Sequence, residues 1–318
     1  MSEGPRRSPR TLAQRDARTG LALISPTLII VLAVVVVPMA WTFLMAFQRL
    51  KLLNIRRSSI FGDYTLDNFR LVLTSRETWD SLTTTLTYTI GSTFFSIVVG
   101  LVAALVVRRP FRGRTLVRAA MLLPYITPVV AATFVWSILL DPQFGLVNNW
   151  GARFLGWDKG VAFLSQESGE ISVLGLDIPV PTALLAVIVF EVWRYFPFAF
   201  LFLLARLQAV PGDIEEAARV DGASPLQSFR YILLPQLTSV IAVLAVLRLI
   251  WTFNEFDDIY LLTGGGAGTE VVSIRVYQLL IPQRNIGASA AQAVVLAVIL
   301  LVLVGIYLRF LHRRSAES

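Results

Sequence analysis

Residues Val210–Pro235, VPGDIEEAARVDGASPLQSFRYILLP, form a polar elbow between two apolar blocks. Asp213, with Glu216 three residues later, predicts a capping box and a helix running through Val220. Gly222 falls just past that helix end, where glycine takes the left-handed conformation cheaply. Ser224 followed by Pro225 restarts a helix, with serine as N-cap and proline in the first turn. Leu226, Phe229, Ile232 and Leu233 recur at helical spacing, so this second helix carries one apolar face. The expectation is a helix–turn–helix lying at a membrane surface. Its four acids, Asp213, Glu215, Glu216 and Asp221, face only two arginines, the opposite of what a phosphate backbone demands. Nucleic acid is therefore excluded as a partner.

Outward from the elbow the chain is built of apolar blocks. Residues 21–48, 81–107, 119–140 and 285–308 are uncharged. Two further blocks carry charge: 178–205 holds Glu191 and Arg194, and 236–254 holds Arg248. A hydrocarbon core about 30 Å thick takes roughly 20 residues of helix, so each block is long enough to span. Backbone groups in lipid must find partners within their own segment, which makes these spans helical. Six spans follow, in an all-α integral membrane protein. The first block is too long for the apolar region of a cleaved leader and reads as a retained anchor. Residues 1–20 form a basic tail expected to be disordered, 21–312 the membrane domain with its loop at 210–235, and 313–318 a second tail. The segment 141–177 reads as an external loop with short interfacial pieces, and Gly264–Gly266 as a turn.

Composition agrees. In 318 residues, 55% are hydrophobic and 15% charged, against about 25% charged in average soluble domains. The mean hydropathy is +0.68. The net charge of +7 comes mostly from arginines flanking the apolar blocks, which points to lipid headgroups. With the N-terminus inside, sixteen basic residues fall in cytoplasmic segments and ten outside, so both termini are expected in the cytoplasm. There is no cysteine, and the lone histidine, His312, sits among terminal arginines, so thiolate metal sites, Cys nucleophiles and His-based triads have no material, and no metal is expected. Neither lysine, Lys51 nor Lys159, is followed by Ser or Thr, so no Walker A loop exists. The chain is not expected to be an enzyme.

Glu216-Ala217-Ala218, then Gly222, then Ile232, Leu234 and Pro235 match the E-A-A-x3-G-x9-I-x-L-P pattern without a departure. The chain thus resembles binding-protein-dependent ABC transporter permeases. The resemblance implies a type I importer fold in which this loop is the coupling helix, with Glu216, Ala217, Ala218, Asp221 and Gly222 at the ATPase. The segments EVWRYFPF (191–198), LLPYITP (122–128) and FNEFDDIYLLTGG (253–265) resemble those of maltose-permease-type sugar importers. That resemblance implies a sugar site formed by Tyr125, Val129, Glu191, Arg194, Tyr195, Phe198, Trp251 and Glu255. Val129 stands where the maltose type has serine, and Glu191 and Glu255 where it has asparagine. It also implies a second permease subunit, two ATP-binding subunits that hold ATP and magnesium, an extracytoplasmic sugar-binding protein, and residence in a bacterial inner membrane. No cofactor is expected in this chain. A permease for a non-sugar solute and an ion-coupled secondary transporter are the alternatives.

Ionisable groups inside a membrane are costly and are functional candidates by default. Glu191 and Arg194 lie three apart, so they share a helix face and can pair; equally, they can line a wet cavity with Tyr195 and Phe198. Asp257 and Asp258 read either as solvated acids at the outer end of a span or as part of the mouth. Arg248 can line the cavity or pair across helices. Pro124 and Pro128 are expected to bend the third span near Tyr125.

Overall fold

The computed structural model describes residues 12–57, 62–173 and 176–316; the expected tail residues 1–11, 317 and 318 lie outside them. The first span begins in α1 (Leu12–Val31), passes through a π-helical turn (Leu32–Val36) and ends in α2 (Val37–Ala46). Helix therefore starts inside the expected disordered tail. A 3-10 turn (Leu52–Arg57) and α3 (Asp67–Thr74) lead into α4 (Arg76–Val107), the second span. In the loop between these spans Arg49 contacts Asp67, and its hydrogen bond holds that carboxyl below the usual range.

The third span is broken. α5 (Arg114–Ile126) and α6 (Val129–Leu139) meet at 97°. Pro128 has no N–H and disfavours helix at the residue before it, and Thr127 is extended with ψ 131°. The expected bend therefore falls at 127–128, while Pro124 stays inside α5. After α6 come α7 (Leu146–Trp150), a π-turn (Gly151–Leu155), and strands β1 (Gly169–Val173) and β2 (Leu176–Val180), paired antiparallel. This small ladder was not anticipated in a segment read as loop.

α8 (Thr182–Gln208) is the fourth span and α9 (Gly212–Val220) the first elbow helix. Next come α10 (Pro225–Ser228), a π-turn (Phe229–Leu233) and α11 (Leu234–Phe253). These last three form one continuous span, Pro225–Phe253. The second elbow helix is thus the foot of span five, not a separate surface helix. Pro235 cannot donate to residue 231; the helix widens just before it, with Leu234 N–H bonding back to Phe229 O. α12 (Asp257–Thr263), a glycine turn at 264–268, and α13 (Val272–Leu280) precede α14 (Ile286–Ala316), the sixth span, whose helix overruns the expected boundary at 312.

Among the described residues, five helices are long and apolar enough to cross a membrane, and the bent pair makes a sixth. The fold is that of a helical membrane protein. Its spine is α4 against α8. At Gly100 an added Cβ would lie 2.8 Å from both Ala199 Cβ and Phe200 N, so the two backbones approach as only glycine allows. Around this crossing Ala104, Val107, Phe200, Leu203, Leu207 and Leu237 are buried together. A second core, including Tyr88, Val187, Phe190, Ile259 and Ile274, packs α4, α8, α12 and α13. The first span packs differently: none of its most apolar stretch is buried.

Candidate functional site

The elbow is held by backbone geometry. α9 begins after Pro211, and no side chain caps it; Asp213 lies within the first turn, so the expected capping box with Glu216 does not form. Pro211 has no N–H of its own, and Asp213 and Glu215 instead place negative charge at the helix N-terminus. The exit matches expectation. Asp221 is the C-cap, Gly222 follows at φ +78°, and a Schellman pair forms: Gly222 N–H to Arg219 O at 3.1 Å and Ala223 N–H to Ala218 O at 2.9 Å. Ser224 caps α10, and Gln227 reciprocates by accepting from the Ser224 N–H at 2.8 Å. The capping box exists, one helix later than predicted. Glu216, Ala217, Asp221 and Gly222 are exposed, and Ala218 is half-buried. Val220, Leu226 and Tyr231 add exposed apolar surface beside them. An exposed turn of alanines and acids, stiffened by two caps, can fill a groove on another protein without reorganising.

The second cluster lies within the bundle. Glu191 and Arg194 do not pair with each other. Each reaches a different helix: Arg248 of α11 donates to Glu191 at 2.5 Å, and Arg194 donates to Asp258 of α12. Thr252 also donates to Glu191 at 3.2 Å. Glu191, Arg248 and Asp258 are buried, so Asp258 is no solvated end-of-helix acid; Asp257 is exposed. Carboxylate oxygens of Glu191, Glu255 and Asp258 lie within 4.8 Å of one another. Glu255 accepts from the Asp258 N–H at 3.3 Å. Three acids thus face two arginines, a knot that ties α8, α11 and α12 together. One oxygen each of Glu191 and Asp258 and the Tyr88 hydroxyl are buried beside one another without a hydrogen-bond partner among the described residues.

An aromatic wall borders the knot. Arg248 stacks on the Tyr195 ring at 4.1 Å from its centroid, and Arg194 approaches the same ring at 5.2 Å. Tyr125 meets Tyr195 edge-on at 6.0 Å and Phe198 at 6.1 Å; Phe198 meets Trp251 at 5.2 Å. Tyr125 and Trp251 remain 38% and 45% exposed. The structure brings Tyr125, Glu191, Arg194, Tyr195, Phe198, Trp251 and Glu255 into one neighbourhood; Val129 opens α6 just past the bend. Arg248 and Asp258, each open to two readings in the sequence, belong to this cluster, and Tyr88 and Thr252, which the sequence did not mark, lie beside them. Arg248 and Thr252 are four apart and so share a helix face, a signal that could have placed Arg248 towards the acids. Asp258 offered none, because its partner comes from a distant helix.

A family model described as "Binding-protein-dependent transport system inner membrane component" matches residues 96–316. The "Inner membrane ABC transporter permease protein YcjO" of Escherichia coli is 32% identical over 285 residues, 90% of this chain and 91% of the relative. The "Trehalose/maltose transport system permease protein MalF" of Thermococcus litoralis is 34% identical over 263 residues, 83% of each chain. The "Trehalose transport system permease protein SugA" of Mycobacterium tuberculosis is 34% identical over 281 residues, 88% of this chain and 84% of the relative. A chain from the crystal structure of a bacterial ABC transporter involved in alginate import shares the fold, with TM-score 0.77 at 24% identity, covering 94% of this chain and 96% of that one. With the family model covering most of its length and relatives 32–34% identical over more than four fifths of the chain, this chain belongs to the binding-protein-dependent ABC transporter permeases of the inner membrane.

Proposed function

We propose that the chain is the translocating permease subunit of an ATP-driven carbohydrate importer working by alternating access. The observation that carries the sugar reading is the half-exposed wall of Tyr125, Tyr195, Phe198 and Trp251 beside Glu191, Arg194 and Glu255. Aromatic faces cover the C–H surface of a sugar ring, while carboxylates and guanidinium groups bond its hydroxyls in pairs. The trehalose and maltose named for two relatives support this class.

A solute-binding protein delivers the sugar to the outer face. A second permease subunit completes the pathway as a heterodimer. Two ATP-binding subunits hold ATP and magnesium, and this chain performs no catalysis. Glu216, Ala217, Ala218, Asp221 and Gly222 seat the elbow on one of them, with both termini in the cytoplasm. The small alanines, the left-handed Gly222 and the basic excess on that side support these assignments. The test is uptake by the reconstituted complex with a carbohydrate panel presented on its binding protein. Vanadate should abolish uptake, and an uncoupler should spare it. Uptake that survives vanadate, or binding of no carbohydrate, overturns the reading.

A further inference from the structure

Adjacent acids of the elbow point different ways. Glu216 is exposed and has no ion pair among the described residues, whereas Glu215, one residue and about 100° round the helix, turns inward to Arg108. One guanidinium nitrogen of Arg108 bridges both carboxylate oxygens, and the two side chains are only 16% and 14% exposed. Arg108 is the C-cap of α4, whose last carbonyl side is further held by Arg118 donating to Val107 O at 3.0 Å.

Packing does not explain how α9 is oriented. No residue of α9 is buried, and an open groove of about 520 Å³, lined by Leu105, Arg108, Arg109, Glu215, Arg219 and Phe229, runs beside it. At its ends α9 is tethered by the short link 209–211 to α8 and by the Gly222 turn to α10. The Gly222 turn fixes the exit of α9, while its entry, which no side chain caps, leaves the helix some freedom about its axis. A side-on charge pair removes that freedom.

We propose that Arg108 and Glu215 are positioning residues: a strut that sets the roll of α9, presents Glu216 and Ala217 outward, and carries the displacement of α9 directly into α4. This rests on the reading of α9 as the coupling helix. α4 is 32 residues long, about 48 Å, and packs backbone-close on α8 at the Gly100 crossing. Its outer half packs Tyr88 with Val187 and Phe190 of α8, and Thr85 accepts from the Val272 N–H of α13 at 2.9 Å. A push on Arg108 therefore reaches the helices that hold the buried acids, in parallel with the covalent routes through α8 and α11. The strut stays closed throughout the cycle.

The experiment uses the full transporter in vesicles, with uptake per ATP hydrolysed as the readout. Glu215→Gln and Arg108→Gln should each lower that ratio by about tenfold, the scale of losing one close charge pair. The exchange Arg108→Glu with Glu215→Arg should restore most of it, which a nonspecific packing defect would not allow. The chain has no cysteine, so Arg108→Cys with Glu215→Cys joined by a short bifunctional thiol reagent is a clean second arm. The cross-linked complex should keep coupled uptake. Wild-type ratios in both single variants, an exchange no better than the singles, or a cross-link that blocks uptake would overturn the strut. Gly222→Val run in parallel separates the two claims: if it uncouples while the Arg108 and Glu215 variants do not, only the strut falls; if none has an effect, the coupling-helix reading falls too.

Discussion

Replacing Gly222 tests whether backbone geometry, not surface chemistry, makes the elbow work. Gly222 sits at φ +78° with nothing within 4 Å of the position a Cβ would take. Steric clash with neighbours is thus absent, and any penalty is the intrinsic cost of the left-handed region. That cost is about 1–2 kcal/mol for an ordinary L-residue and up to about 3 kcal/mol where a β-branched side chain is forced there. The Schellman bonds from Gly222 and Ala223 N–H depend on the same conformation, so an elbow that relaxes loses both. At 1.4 kcal/mol per factor of ten, Gly222→Ala should depopulate the elbow about tenfold and Gly222→Val on the order of a hundredfold. Asn tolerates the left-handed region, so Gly222→Asn should retain most function. The assay is uptake and binding-protein-stimulated ATP hydrolysis by vesicles containing the whole transporter, with membrane insertion checked by quantitative labelling. The order Gly, Asn, Ala, Val in uptake, with hydrolysis freed from the binding protein in the Val variant, is the expected result. Equal uptake by the Asn and Val variants, or full uptake with Val, would refute the reasoning.

Ser224→Ala removes one half of the capping box and should weaken α10 by about 1 kcal/mol, seen as a smaller loss of uptake than with Gly222→Ala. Arg248→Ala leaves Glu191 buried and unpaired and should cost about 3–5 kcal/mol, read as a lower melting temperature in detergent. Removing both charges with Glu191→Gln and Arg248→Met should cost less than the sum of the singles; additive losses would show the pair to be uncoupled. Gly100→Val drives a side chain into the α8 backbone and should destabilise by more than the 1–3 kcal/mol typical of overpacking, with little correctly assembled complex recovered. Trp251→Ala and Tyr125→Ala remove partly exposed aromatic surface and should raise the KM for uptake while leaving thermal stability nearly unchanged. A stability loss comparable to that of Arg248→Ala would mark them as core residues instead.

What could be read directly from the chain is what depends on neighbours in sequence. Uncharged blocks of membrane-spanning length mark the spans, because a lipid core forces a local solution on every backbone group. Gly222, Ser224 and Pro225 mark the turn and the restart, because their preferences reside in their own torsions and hydrogen bonds. Asp213–Glu216 and Ser224–Gln227 carry the same capping-box spacing, but α9 starts directly after Pro211 and leaves Asp213 inside its first turn, so only the second box forms. Tertiary structure alone decided the charges. Glu191 and Arg194 could have satisfied each other locally, yet each pairs with a residue of another helix, 57 and 64 residues away in sequence. Asp258, which by sequence could be a solvated acid or part of the mouth, is buried in the knot for the same reason. Pairings of this kind depend on which helices meet and at what depth, and a buried charge accepts whichever partner removes most of its desolvation cost. One-dimensional spacing does not contain that information.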